Sequence, residues 1–293
     1  MKKWRLLGLL FFYPIMGVLI HFRTDGFTFQ KVLTFLPNKP AWETHSLSSE
    51  EKEKISQVLS QKFHYLGSGR QCFVFVSSDQ EYVLKLINHQ RFVVADWVKQ
   101  LPMPSFLDLQ RLEKIEKRHA RIDAFFQSFQ IGYENLPEET GILYLQLNKS
   151  ETPLFVQVSG PGYVHTIPLH KTEFILQRRV NSFYSELKRA SHDAVQWKKI
   201  LSSYVSYLEQ RIQKEIVDDD RNVFNLGYAE GRTILIDAGR LYLDPAIQEH
   251  SYEEMKKSSK LLQKRLDKSY PEMGKYLFDE IEKRKPALFS SDL

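Results

Sequence analysis

Three consecutive acids, Asp218-Asp219-Asp220, follow a helical pattern and lead into Arg221-Asn222-Val223-Phe224-Asn225; a short apolar run, Ile234-Leu235-Ile236, then ends in Asp237-Ala238-Gly239. A helix C-terminus disfavours negative charge, so three acids in that place imply a cation nearby. Solvated acids closing a helix are the plain alternative for Asp218 and Asp219. The apolar triplet reads as a short buried strand.

Upstream, Leu66-Gly67-Ser68-Gly69-Arg70-Gln71-Cys72-Phe73-Val74 sets a glycine turn before a strand, and Tyr82-Val83-Leu84-Lys85-Leu86 sets a lysine inside another. Glycines let backbone approach a phosphate and aim N–H groups at it, although a Gly-Ser-Gly turn alone is more often only a turn. A buried ammonium is costly unless paired, so Lys85 needs an anionic partner unless a strand edge keeps it wet.

Taken in order, the glycine loop Gly67 to Val74, the strand lysine Lys85, a D-x-x-x-x-N segment from Asp220 to Asn225 and the triplet Asp237 to Gly239 resemble the protein-kinase-like superfamily. The resemblance implies an α+β, two-lobed fold: a small antiparallel-sheet lobe with one long helix, and a larger, mainly helical lobe. It implies ATP held at Gly67, Ser68, Gly69 and Val74, with Lys85 steadying phosphates and pairing with Glu113 or Glu116 of the long helix. It also implies Mg2+ on Asn225 and Asp237, and Asp220 orienting or deprotonating the attacking hydroxyl. Both glutamates have an ordinary reading as surface salt-bridge partners. The chain departs from the pattern where Cys72 replaces the third glycine, Asp218 and Asp219 replace the His and Arg before the catalytic aspartate, and Asn222 replaces a lysine. No Ala-Pro-Glu follows Gly239, and the short C-terminal part is more similar to sugar and small-molecule kinases than to eukaryotic protein kinases.

Around these motifs the expected elements alternate. Ser48-Ser49-Glu50-Glu51 starts a helix with Ile55, Val58, Leu59 and Phe63 at helical spacing, and two strands, Phe73 to Ser77 and Glu81 to Ile87, form a hairpin. Leu107 to Phe129 reads as a long amphipathic helix carrying Leu109, Leu112, Ile115, Ile122, Phe125, Phe126 and Phe129. Strands are expected over Glu139 to Asn148, Leu154 to Val158 and Phe174 to Val180. Ser182 to Val217 and Tyr252 to Arg284 read as helical, the first with Leu187, Val195, Leu201, Val205, Leu208 and Ile212 as its apolar positions. The domain boundaries expected are 1–22, a signal-anchor or signal peptide; 23–46, an irregular connector; 47–180, the sheet-rich lobe; and 181–293, the helical lobe.

Lys2, Lys3 and Arg5 precede an apolar run from Leu6 to Phe22 that lacks an Ala-x-Ala cleavage pattern, so an uncleaved membrane anchor is expected. The charge bias puts the N-terminus in the cytoplasm and the domain outside it. Nucleoside triphosphate is plentiful inside and scarce beyond, so orientation and kinase chemistry pull in opposite directions.

Composition narrows the rest. A formal charge of +5 suits an anionic partner, whether nucleotide or acidic glycolipid, and equally suits ordinary solubility. A nucleic-acid role rests on charge alone and has no recognisable module behind it. One cysteine excludes an internal disulfide and a Cys-cluster metal site. His165 and His170 lack a metal-binding spacing, and neither Gly-x-Ser-x-Gly nor His-Glu-x-x-His occurs. Three functional expectations follow: an ATP- and magnesium-dependent phosphotransferase acting on a sugar or membrane glycolipid; a membrane-anchored pseudokinase that binds nucleotide or a protein partner without catalysis; and an anchored envelope domain with no small-molecule site.

Overall fold

The structure, a computed structural model, describes residues 25–34, 36–45, 47–92, 101–160 and 163–285. The apolar run from Leu6 to Phe22 lies outside the described residues, and among these no helix is long and apolar enough to cross a membrane. The chain divides into a first unit, up to Asp123 with Leu143–Arg179, and a second, Ala124–Ile142 with Val180 onward. The architecture is mixed α+β, with a large sheet in the first unit and a mainly helical second unit.

In the first unit Ser48 caps helix α1 (Ser49–Leu59): its hydroxyl accepts from the Glu51 amide while the Glu51 carboxylate accepts from the Ser48 amide. That exchange satisfies two of the groups a helix start leaves open. The helix stops at Leu59. Phe63, which fits helical spacing in sequence, is instead buried from strand β1 (Lys62–Ser68). Strands β2 (Cys72–Ser77) and β3 (Tyr82–Ile87) form the expected hairpin, its turn held by the Asp79 carboxylate, which accepts from the Ser77 hydroxyl at 2.5 Å and the Glu81 amide at 3.0 Å.

With β4 (Ile142–Gln146), β5 (Phe155–Gly160), β6 (Tyr163–Pro168) and β7 (Phe174–Arg178), these strands build a seven-stranded sheet in the order β4-β7-β3-β2-β1-β5-β6. β5 joins β1 in parallel and β6 returns antiparallel to β5; the sequence reading had no strand at β6. Alternation along the strands puts Phe73, Phe75, Leu84, Leu86, Phe174 and Leu176 into one core. The segment expected to be an irregular connector contributes to that core. Phe29–Val32 is a single helical turn, Val32 is buried, and the Phe27 ring meets Phe73 and Phe75 edge-on at 5.1 and 5.4 Å.

Helix α2 (Ser105–Asn135) is the expected long helix, but its apolar stripe is only half used. Leu109 and Leu112 are 69% and 54% exposed, while Ile122, Phe125, Phe126 and Phe129 are buried. In the second unit the region read as one helical stretch divides into α3 (Phe183–Arg189) and α4 (Ala194–Gln213). Asp193 caps α4 by accepting from the Val195 and Gln196 amides, and the stretch then ends in a strand, β9 (Ile216–Asp218). Helices α5 (Ser251–Ser269) and α6 (Pro271–Glu282) are separated at Pro271, which needs no amide partner at a first helical position. A small sheet runs β11-β10-β8, from β8 (Asn181–Ser182), β10 (Leu226–Ala229) and β11 (Arg232–Leu235), and β12 (Leu241–Leu243) pairs with β9.

Candidate active site

In the first unit one row of residues crosses four strands. Gly67 is paired with Val74, Val74 with Lys85, and Lys85 with Ile175. Opposed residues in a pleated sheet project to the same face. Val74, Lys85 and Ile175 therefore share the face turned away from the Phe73, Phe75 and Leu84 core. Lys85 is 6% exposed, and its strand neighbours in the row, Val74 and Ile175, are apolar.

The glycine turn is closed by the Gly69 amide donating to the Cys72 carbonyl at 2.9 Å. Neither Gly67 nor Gly69 has a positive φ, and a Cβ on Gly67 would meet nothing within 4 Å. Conformation does not demand glycine at Gly67. Its lack of a side chain leaves open space at the β1 end of that row. Ser68 has a second engagement: its hydroxyl and that of Tyr65 both donate to Asp25, at 2.8 and 2.9 Å. Burial pushes Tyr65 up to about 12, so it remains a proton donor at neutral pH.

Of the two glutamates expected to partner Lys85, Glu113 is paired with Lys117 on exposed helix surface, and that bond holds its carboxyl below the usual range. Glu116 is exposed on the same stretch. The spacing of α2 turns both toward solvent, which is the ordinary reading of charged helix residues.

In the second unit the three remaining site residues converge through backbone pairing. Leu226 opposes Leu235 in the β10–β11 hairpin, so Asn225 and Asp237 flank its open end, tied by the Ile236 amide donating to the Asn225 carbonyl at 2.7 Å. Leu241 opposes Asp218 across β12 and β9, and the Asp219 amide donates to the Arg240 carbonyl at 3.2 Å. These bonds hold the Asp220 turn beside the Asp237-Ala238-Gly239 turn. Asp220, Asn225 and Asp237 are all half-buried.

Local contacts set each one. Asn222 caps the single turn Val223–Asn225 by accepting from the Phe224 amide at 3.1 Å, and the Asn225 amide donates to the Asn222 carbonyl at 2.8 Å. Asp237 accepts from the Gly239 amide at 3.1 Å. A Cβ on Gly239 would lie 3.0 Å from the Phe125 ring and 3.1 Å from the Asp237 carboxylate, so here glycine answers to a close approach. Ser128 of α2 fastens the turn, donating to the Ala238 carbonyl and accepting from the Leu241 amide.

Among the described residues no group of three or more His, Cys, Asp or Glu forms a metal cage. Asn225 and Asp237 together offer one amide oxygen and one carboxylate. Magnesium takes few protein ligands and completes its shell with phosphates and water, so this donor set fits it better than a metal held by protein alone.

Sequence reasoning missed the layer beneath. Asp218 is not a solvated acid ending a helix. It closes β9, is 6% exposed, and its carboxylate accepts from the Asp220 amide at 2.8 Å. Burial pushes it up to about 6, against the pull of Arg211. The cations that three adjacent acids required are guanidiniums: Arg211 acts on Asp218, and Arg221 lies 3.9 Å from Asp219, which stays exposed. Arg211 sits between Leu208 and Ile212, on the apolar side of α4, and that position was the available signal.

No protein-family model matches the chain, and no curated protein sequence matches it. Solved structures do. WbdD in complex with a kinase inhibitor matches at 12% identity and a TM-score of 0.36, covering 75% of this chain, which spans only 45% of the WbdD chain. The ternary complex of APH(2")-IIa with streptomycin and ATP matches at 13% identity and a TM-score of 0.27, over 70% of this chain and 75% of that one. The ADP-bound aminoglycoside phosphotransferase APH(2")-Ib matches at 11% identity and a TM-score of 0.25, over 79% and 91%.

Proposed function

We propose that the chain is a phosphotransferase that uses ATP and magnesium. The observation that supports this reading is the bond between the Ile236 amide and the Asn225 carbonyl, which brings the Asn225 and Asp237 positions to the same end of the β10–β11 hairpin. In this reading Asn225 and Asp237 hold the metal, which neutralises phosphate oxygens when bound. Lys85 steadies the non-transferred phosphates, and the space at Gly67 admits the phosphate chain. Asp220 orients an acceptor hydroxyl and takes its proton as a new O–P bond forms and the bond from the γ-phosphorus to the β–γ bridging oxygen breaks, releasing ADP.

A sugar or membrane glycolipid hydroxyl is the acceptor class we favour. Supporting it are the basic, then apolar, N-terminal segment, which would hold the domain at a membrane, and the absence of an Ala-Pro-Glu segment after Gly239. A pseudokinase is the second reading, favoured by Asp218 and Asp219 standing where the related motif has His and Arg.

Thermal unfolding with and without Mg2+ and ATP, run alongside ADP release, separates the readings. Stabilisation with turnover supports the enzyme, stabilisation without turnover the pseudokinase, and no stabilisation refutes both. Protease accessibility in intact membranes tests the side on which the domain lies. A domain sealed away from any nucleotide pool would argue against turnover in the cell.

A further inference from the structure

Behind the Asp220 turn lies a polar layer that the proposed chemistry does not use. Arg211 is 1% exposed, and its Nη2 donates to Glu254 Oε1 and Ser258 Oγ, both at 2.8 Å. Arg221, adjacent to Asp220 in the chain, donates from Nε and Nη2 to the two oxygens of the same Glu254 carboxylate, at 3.2 and 3.0 Å. One carboxylate on α5 thus grips a guanidinium from α4 and another from the turn itself. A carboxylate shared in this way is held firmly, since charge-assisted bonds are the stronger class.

The grip leaves donors over. Arg211 Nε and Nη1 and the Tyr207 hydroxyl are buried without a hydrogen-bond partner among the described residues. Both side chains are at least nine-tenths buried, and both line a cavity of about 20 Å³ that they share with Asp218 and Asp220. Roughly 10–15 Å³ suffices for one water, while a phosphate or any organic ligand needs far more. Buried donors left unsatisfied cost free energy, and a water with several polar partners removes that cost. Charge argues for a neutral occupant. Two guanidiniums, Arg211 and Arg221, face three carboxyl groups, Asp218, Asp220 and Glu254, so no positive excess exists to hold an anion such as chloride.

We propose that this cavity binds a single water, bridging Arg211 and Tyr207 to the Asp218–Asp220 turn, and that Arg211 and Tyr207 are positioning residues for Asp220. The positioning part rests on the phosphotransferase reading of Asp220; the water site does not. The bridge would fix the turn through its back, while the backbone bonds to Arg240 and Asn222 fix it from the sides.

Tyr207→Phe in the full chain removes one hydroxyl and preserves the ring, so the fold is kept. The expected result is about fivefold faster amide exchange confined to residues 219–222, since one net hydrogen bond is worth about 1 kcal/mol. Turnover should fall about tenfold with Kd for MgATP unchanged. Arg211→Lys, which retains a cation for Glu254 but loses the surplus donors, should speed exchange in the same residues. A crystal structure should show one water in the cavity. Unchanged exchange at 219–222, exchange faster everywhere with turnover per folded molecule unaltered, or a halide in anomalous density after bromide soaking would each overturn the proposal. If the wild-type chain turns over no ATP, the phosphotransferase reading fails by itself, and exchange and density still decide the water site.

Discussion

The two units position their candidate residues by opposite means. The row Gly67, Val74, Lys85, Ile175 is set by strand register alone: backbone ladders align it, and a single charged side chain stands among apolar ones. The block of Asp220, Asn225 and Asp237 depends instead on side-chain bonds from several elements, including Ser128, Asn222, Arg211 and Glu254. A register is robust, because slipping it by one residue turns every side chain to the wrong face. A polar network is vulnerable at each member, because losing one partner strands the others.

The sharpest test of the comparison is chemical. Lys85→Met and Asp237→Ala should each lower ATP turnover by about 10³-fold or more, the scale expected when a metal ligand or a phosphate-steadying charge is lost. Lys85→Met should leave the pairing of β2, β3 and β7 intact, because that register is set by backbone bonds. A large loss of stability in that variant would break the claim that register alone positions the residues of the first unit.

Next in size is Glu254→Ala, which leaves Arg211 buried without its carboxylate. A buried pair broken on one side costs about 3–5 kcal/mol, measurable by urea unfolding. A loss below about 1 kcal/mol would mean that the network contributes little to the second unit.

Asp218 gives a pH signature. Its folded value of about 6 lies above the ordinary 3.8, so the native state holds the proton more tightly than the unfolded one, and this group's contribution declines as pH rises from about 4 to about 6. The stability of wild type relative to Asp218→Asn should therefore fall by about 2–3 kcal/mol across that window and stay level above it. A difference independent of pH would remove the buried carboxyl from the account. Smallest of all, Glu113→Gln should change stability by no more than about 0.5 kcal/mol, as befits an exposed helix pair.

The same contrast explains what could be read from sequence. The β2–β3 hairpin and the order of glycine turn, lysine and acids were legible because strand alternation and turn residues are local signals. β1 was hidden because Phe63 also continues the spacing of Ile55 and Leu59, and the end of the helix at Leu59 is decided by pairing with β2 and β5. β9 was lost inside a helical pattern because three residues are too few to show a period.

Along α4 the periodic reading misplaced Val195, which is 80% exposed, and passed over Arg211, which is 1% exposed. Hydrophobic periodicity reports which side of a helix is covered, but not that a charge there has found a carboxylate 43 residues away in the chain. The exposure of Glu113 and Glu116 on α2 was hidden for a related reason. Their spacing identifies a face, while burial on that helix begins only near Ile122.

The unfilled volume beside Gly67 has a practical corollary. Because the surrounding protein makes no demand on that position, a bulky replacement such as Gly67→Val should yield a chain that folds normally while, on the phosphotransferase reading proposed above, losing its affinity for nucleotide. Such an allele would separate what the molecule does by being present from what it does by chemistry, a distinction that deletion of the whole chain erases.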